Sequence, residues 1–277
     1  VFEFLDEEEM QDESKFTKKL YKEKVKGDIE FENVVFQYDN NPKPTIQNFS
    51  AKAKAGQKIA IVGPTGAGKT TLVNLLMKFY DINSGDIKID GVSTKELTRE
   101  NIHDLFTMVL QDTWLFDGTI KENISYGSLN ATDEEIKQAA KMAYAHEFIE
   151  RLPEGYNTYI KNQNMLSPGE IQLINIARVM LTKPPILILD EATSNIDIVT
   201  ENKISNAFNN LIKNSTSFII AHRLSTIKNA DKIIFIENGN IIEEGTHEQL
   251  LAKKGKYYSM YETGTVSYTH LRAHETR

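Results

Sequence analysis

The stretch that most constrains this chain is "KIAIVGPTGAGKTTLVNLLMKFY". Lys58–Val62 is a short apolar run with strand character that stops at Gly63, and from Thr70 onward apolar residues recur at helical spacing. The link between them, Gly63, Pro64, Thr65, Gly66, Ala67, Gly68, Lys69 and Thr70, matches G-x-x-x-x-G-K-[ST] and runs on into Thr71. Glycines at these spacings let the backbone curl until successive N–H groups point inward at phosphate oxygens. Lys69 reaches the terminal phosphates, the Thr70 hydroxyl suits Mg2+, and the helix that follows turns the positive end of its dipole on the same anion. A strand before and a helix after are the context this pattern requires, so Gly63 to Thr71 is the predicted phosphate cradle.

A second stretch, "ILILDEATSNID", runs aliphatic residues straight into two adjacent carboxylates, Asp190 and Glu191. In open α/β sheets ligands sit beyond the carboxyl ends of the strands, so a strand beside the phosphate loop is the place for an acid. Asp190 is expected to hold Mg2+, directly or through water. One acid suffices for the metal. The second, Glu191, points to hydrolysis, as a carboxylate that orients and deprotonates the attacking water; its plainer reading is a solvated charge at a strand end.

Composition narrows the remaining classes. The 277 residues carry 32 Lys+Arg against 39 Asp+Glu, a net charge of -7, which argues against a general grip on nucleic acid. With no cysteine there is neither a disulfide framework nor a thiolate metal site, in agreement with a reducing compartment. No run of about 18 apolar residues and no signal peptide are visible in this stretch of chain.

The residues before Asp28 are charge-dense, an acidic block followed by a basic one, and read as a linker or a solvated helix. From Asp28 the pattern changes. "IEFENVVF" reads as a strand and "GDIKIDG" (Gly85–Gly91) as a hairpin strand. Leu97 to Leu181 reads as mostly helical, with Thr132 and Glu135 forming a capping box. The strands "ILILD", "SFIIA" and "KIIFIENG" then alternate with helices. This order predicts an α/β fold with a mostly parallel sheet, an antiparallel β subregion over Ile29–Ile89 and a helical subdomain at about 97–181.

Taken together, these residues resemble the nucleotide-binding domain of an ATP-binding-cassette (ABC) transporter of the exporter type, from Asp28 to about Gly264. "LSPGEIQ" (Leu166–Gln172) is similar to the family signature L-S-G-G-Q. Gln111 in "VLQDTWLFDGTIKENI" is similar to the Q-loop glutamine, "SNID" (Ser194–Asp197) to the D-loop, and His222 in "IIAHRLSTI" to the switch histidine. Tyr38 lies where the family stacks an aromatic ring on adenine. The resemblance implies a P-loop NTPase core that binds ATP with Mg2+. It implies that Gln111 binds Mg2+ or the attacking water, that His222 donates to the γ-phosphate, and that Asp197 belongs with the nucleotide-binding residues. Ser167 and Gly169 open a helix that would hold the γ-phosphate of an ATP bound to a second such domain, because the family sandwiches two ATP molecules between head-to-tail domains. The implied setting is the cytoplasmic face of the cell membrane, beneath a transmembrane domain, with no nucleic-acid partner.

This sequence departs from the family text in places. Pro168 and Glu170 replace signature positions, and Pro168 has no N–H to offer a phosphate. "YIKNQNM" lacks the Glu-Gly text of many homodimeric exporters. These departures favour one half of a heterodimeric exporter, and Glu191 with His222 would make this half catalytically complete. The competing classes want other features. A GTPase wants N-K-x-D, and "NKIS" lacks the acid; a small-molecule kinase does not need the signature helix. A soluble cassette acting in DNA repair or translation would show two cassettes or a long coiled coil with a basic surface. An ATP-binding regulatory half with little hydrolysis is the further alternative. "VFEFLDEEE" resembles the join after an exporter's last membrane helix, so a membrane domain is expected upstream. "VSYTHLRAHETR" resembles a translated sequencing adapter, so the native chain is expected to end near Gly264 or Thr265.

Overall fold

The computed structural model describes residues 12–39, 41–109, 114–128, 130–161, 165–191, 196–221 and 224–263, the side chains of Glu191, Asn214, Leu224 and Ser225 excepted. Its centre is a 6-stranded sheet. The strands are β3 (Lys58–Val62), β6 (Phe106–Val109), β9 (Ile186–Glu191), β10 (Thr216–Ala221), β11 (Lys232–Glu237) and β12 (Asn240–Gly245), in the order β12-β11-β3-β10-β9-β6. Every neighbouring pair is parallel except the β11–β12 hairpin. β10 is buried along its whole length, as expected of a strand covered on both faces.

Alternation along these strands feeds two cores. Ile59, Ile61, Ile186, Ile188, Phe218 and Ile220 face one core, and Ala60, Val62, Leu187, Leu189 and Ile219 face the other. The first core is closed by a 4-stranded antiparallel sheet, β2-β1-β4-β5, built from β1 (Ile29–Phe36), β2 (Ile46–Ala53), β4 (Ser84–Ile89) and β5 (Val92–Ser93). Phe31 joins the two layers, edge-on to Phe49 at 5.2 Å and to Phe218 at 6.3 Å. The second core is covered by helices. The helices in chain order are α1 (Lys69–Leu76), α2 (Arg99–Leu105), α3 (Ile120–Ser125), α4 (Asp133–Met142), α5 (His146–Arg151), α6 (Pro168–Thr182), α7 (Ile198–Leu211), α8 (Leu224–Lys228) and α9 (His247–Lys253). The capping box of Thr132 and Glu135 opens α4 as the sequence predicts. Among the described residues no helix is long and apolar enough to cross a membrane.

Three details add to these expectations. β3 lies inside Ile29–Ile89 but joins the parallel sheet, because its unbroken apolar run suits burial on both faces. The stretch 97–181 is mostly helical, yet it also supplies β6 to the parallel sheet and a small ladder of β7 (Gly118–Thr119) with β8 (Tyr159–Ile160). Finally, residues 12–27 form no helix and are tied to the body. Glu13 pairs with Arg99 at 2.6 Å and Lys78 at 3.1 Å, with side-chain exposures of 17%, 15% and 7%. Leu20 exchanges two hydrogen bonds with the Asn101 side chain, and the backbone N–H groups of Lys26, Gly27 and Asp28 all donate to the Asp90 carboxylate. Most of this stretch is exposed, and Glu13 is a charge that specifies a contact.

Candidate nucleotide site

Parallel register brings the carboxyl ends of the central strands to one edge. Ile220 is level with both Ile61 and Asp190, and Val109 is level with Leu189. The chain leaves β3 at Gly63 on that edge. Gly63 has a φ of 150°, and a Cβ there would lie 2.0 Å from the Ile236 carbonyl oxygen; only glycine lets the loop start this close to β11. Gly68, at φ 102° and ψ 9°, is the N-cap of α1 and offers no side-chain cap. The first-turn N–H groups of α1 are therefore not taken up by a capping side chain. Pro64, Thr65, Gly66 and Thr70 are exposed, while Ala67 is buried beneath them.

The loop's charge is held in place. Lys69 Nζ donates to the carbonyl oxygens of Gly63 at 2.8 Å and Pro64 at 2.9 Å. Burial pulls the Lys69 ammonium below the usual lysine range, and the Asp190 carboxylate opposes that shift. Lys69 and Asp190, the predicted lysine and the predicted metal-binding acid, both stand at this sheet edge. Tyr38 reaches the same region: its hydroxyl is 3.2 Å from Thr71 Oγ1 in the first turn of α1. Tyr38, the loop Gly63–Thr71 and Asp190 form one group.

Ser167, Gly169 and Asp197 form another. Ser167 is the N-cap of α6, with Pro168 at the first helical position and Glu170 closing a capping box. Asp197 is the N-cap of α7 and accepts from the N–H groups of Val199 and Thr200, both at 3.0 Å; these contacts, Thr200's first, hold its carboxyl below the usual range. The two helix starts touch, since a Cβ on Gly169 would lie 2.3 Å from Thr200 Cγ2. Among the described residues no hydrogen bond or ion pair links this group to the phosphate loop. Gln111 and His222 lie outside the described residues, as do Ser194 and the Glu191 side chain. The Glu191 backbone is in β9, level with Ala221.

A family model described as ABC transporter matches residues 46–194. This chain belongs to the ABC transporter family. Its relatives agree. It is 50% identical over 264 residues to an uncharacterised ABC transporter ATP-binding protein of Bacillus subtilis (strain 168), covering 95% of this chain and 43% of that protein. It is 52% identical over 235 residues to a fatty acid ABC transporter ATP-binding/permease protein of Mycobacterium tuberculosis (strain CDC 1551 / Oshkosh), covering 84% and 37%. It is 48% identical over 236 residues to a putative multidrug export ATP-binding/permease protein of Staphylococcus aureus (strain NCTC 8325 / PS 47), covering 85% and 41%. Among solved structures, a bacterial Atm1-family ABC exporter with ATP bound superposes with a TM-score of 0.78 at 40% identity, over 86% of this chain and 42% of that one. The chain spans less than half the length of the curated relatives it matches.

Sequence reasoning missed two features around this ABC domain's site. Tyr80 packs against Tyr38, with ring centroids 5.2 Å apart; the aromatic pair "FY" closing the α1 stretch was the available signal. Trp114 and Tyr126 are exposed and flank the Arg178 guanidinium, each at 5.8 Å. Nothing in the local pattern marks those three as neighbours.

Proposed function

We propose that this ABC domain binds Mg-ATP at the loop Gly63–Thr71, hydrolyses it, and uses the cycle to drive export through a transmembrane domain of the same transporter. The observation that carries this reading is geometric: the glycine loop leaves β3 with Lys69 Nζ gathered onto the Gly63 and Pro64 carbonyls, at the same sheet edge where β9 ends in Asp190. Lys69 would exchange the Gly63 and Pro64 carbonyls for oxygens of the terminal phosphates. The backbone N–H groups of the loop and of the first turn of α1 complete the anion cradle. Tyr38 lies under the purine, tied to the cradle through Thr71.

The donors at the edge fit Mg2+. The exposed Thr70 hydroxyl and the Asp190 carboxylate are hard oxygen ligands, and Gln111 would add an amide oxygen. When bound, Mg2+ neutralises charge on the β- and γ-phosphoryl oxygens. Glu191 takes a proton from water as the water oxygen attacks the γ-phosphorus in line, and ADP departs with the bridging oxygen. Gln111 orients the water, while Lys69 and His222 hold the γ-phosphoryl oxygens as charge redistributes.

The second group needs a second domain. Ser167, Gly169 and Asp197 would face the triphosphate of a partner ABC domain, so that two ATP molecules close the dimer and hydrolysis opens it. The departures at Pro168 and Glu170 support a heterodimer. For the chain's own membrane domain, Trp114 and Tyr126 offer an exposed apolar surface. They line a depression of about 350 Å3 with Thr107, Met108 and Asn175, beside the strand that leads to Gln111. The setting that follows is the cytoplasmic face of the membrane.

Replacing Glu191 by Gln tests the chemistry. Turnover of ATP should fall by at least about a hundredfold while ATP binding persists. Unchanged turnover removes Glu191 from its role.

A further inference from the structure

Tyr80 stands beyond the end of the helix that opens with Lys69, and no motif read from the sequence includes it. After Leu76 the helix is closed by a hydrogen-bonded turn. The Lys78 N–H donates to the Leu75 carbonyl at 3.0 Å and the Phe79 N–H to the Asn74 carbonyl at 2.9 Å, with Lys78 at φ 55°. A side-chain-bearing residue adopts that conformation only when its surroundings hold it. Here they do: Lys78 is 6% exposed, its Nζ donates to the Leu97 carbonyl at 2.7 Å, pairs with Glu13 at 3.1 Å and lies 4.8 Å over the Phe16 ring. The turn delivers Tyr80 to the side of Tyr38.

The rings of Phe36, Tyr38 and Tyr80 form a triangle. Phe36 and Tyr38 are 4.7 Å apart at 84°, Tyr38 and Tyr80 are 5.2 Å apart at 86°, and Phe36 and Tyr80 are 5.6 Å apart at 49°. With those sides, Phe36 and Tyr80 stand less than a right angle apart as seen from the Tyr38 centroid, and both meet Tyr38 edge-to-face. The Tyr38 hydroxyl is meanwhile tied to Thr71. Phe36 is buried, whereas Tyr80 keeps 44% of its surface exposed, so Tyr80 is the wall of this cluster that solvent reaches.

We infer that Tyr80 is a positioning residue for the nucleobase. With Phe36 it holds the Tyr38 ring in one orientation for the purine, and Thr71 fixes the height of that ring above the phosphate cradle. α1 then carries the phosphate grip at its start and the buttress of the base platform just past its end. One rigid element sets the two subsites relative to each other, and a ring already fixed loses less freedom when base stacks on it. This rests on the reading of Tyr38 as the base platform.

The test compares two ligands on this chain: Mg-ATP, and Mg-tripolyphosphate, which has the phosphates without the base. Tyr80→Ala should weaken Mg-ATP about five- to tenfold and leave tripolyphosphate unchanged, which also reports an intact cradle. Tyr80→Phe, which keeps the ring, should bind ATP as the parent does. Equal loss of both ligands in Tyr80→Ala overturns the inference. So does unchanged ATP affinity in Tyr80→Ala when Tyr38→Ala has lost it. Unchanged ATP affinity in Tyr38→Ala removes the platform reading itself, and this inference with it.

Discussion

Glu170 folds back on Ser167: its carboxylate accepts the Ser167 hydroxyl at 2.9 Å and the Ser167 backbone N–H at 2.8 Å, and its own N–H donates to the Ser167 oxygen at 3.3 Å. With Pro168 in the first helical position, the start of the signature helix carries a capping box of its own. Glu170→Ala should therefore lower stability by about 1 kcal/mol. Glu170→Gln keeps an acceptor for the Ser167 N–H and should lose only a few tenths of that scale. Chemical denaturation of the three proteins checks this; equal losses in the two variants contradict the cap.

Gly169 is where α6 meets α7. Its missing Cβ leaves room for the Thr200 methyl, 2.3 Å from where that Cβ would be, and for Ile196 at 3.4 Å. Gly169→Ala should cost about 1–3 kcal/mol by forcing the two helix starts apart. Thr200→Ser removes the clashing methyl and keeps the backbone N–H that caps on Asp197. The double variant should recover most of the loss, read as a coupling energy in urea melts. Additive losses would place the strain elsewhere.

Glu13 gives a pH signature. Burial raises its carboxyl, but the Arg99 backbone N–H, the Lys78 hydrogen bond and both positive charges outweigh that and leave it below the usual carboxylate range. A depressed acid contributes stability that is fully present above its unfolded pKa of about 4.3 and is lost as pH falls through the lower folded value. Glu13→Gln should thus be less stable than the parent by about 1–3 kcal/mol at pH 7. The gap should close as pH falls below about 4. A gap that persists at low pH would mean that packing, not charge, binds residues 12–27 to the body.

Much of this architecture is legible before any coordinates. The strand–loop–helix from Lys58 to Leu76, the strands at Ile186, Thr216 and Lys232, and the capping box at Thr132 all rest on local signals: apolar runs, glycine spacing and cap residues. What the sequence hides is set by distant partners. β6 is short, "FTMV", and becomes a strand because β9 pairs with it. β2, "IQNFSAKA", alternates in burial, and its pairing with β1 fixes which face is buried. Residues 12–27 look solvated by composition and are mostly exposed, and contacts from Arg99, Lys78, Asn101 and Asp90, far along the chain, tie them to the body. Likewise Tyr80 gains meaning only beside Tyr38. Of the predicted site, the loop, Asp190, Tyr38, Ser167, Gly169 and Asp197 fall into two groups, one at the sheet edge and one at two touching helix starts.

The central claim is that Lys69 and the loop before it grip a triphosphate. Equilibrium binding of Mg-ATP to the parent chain and to Lys69→Ala tests it most directly. The parent should bind, and the variant should lose about ten- to hundredfold, the worth of a charge-assisted contact to phosphate. Equal affinity in the two proteins, or no retention of Mg-ATP by the parent, would contradict it.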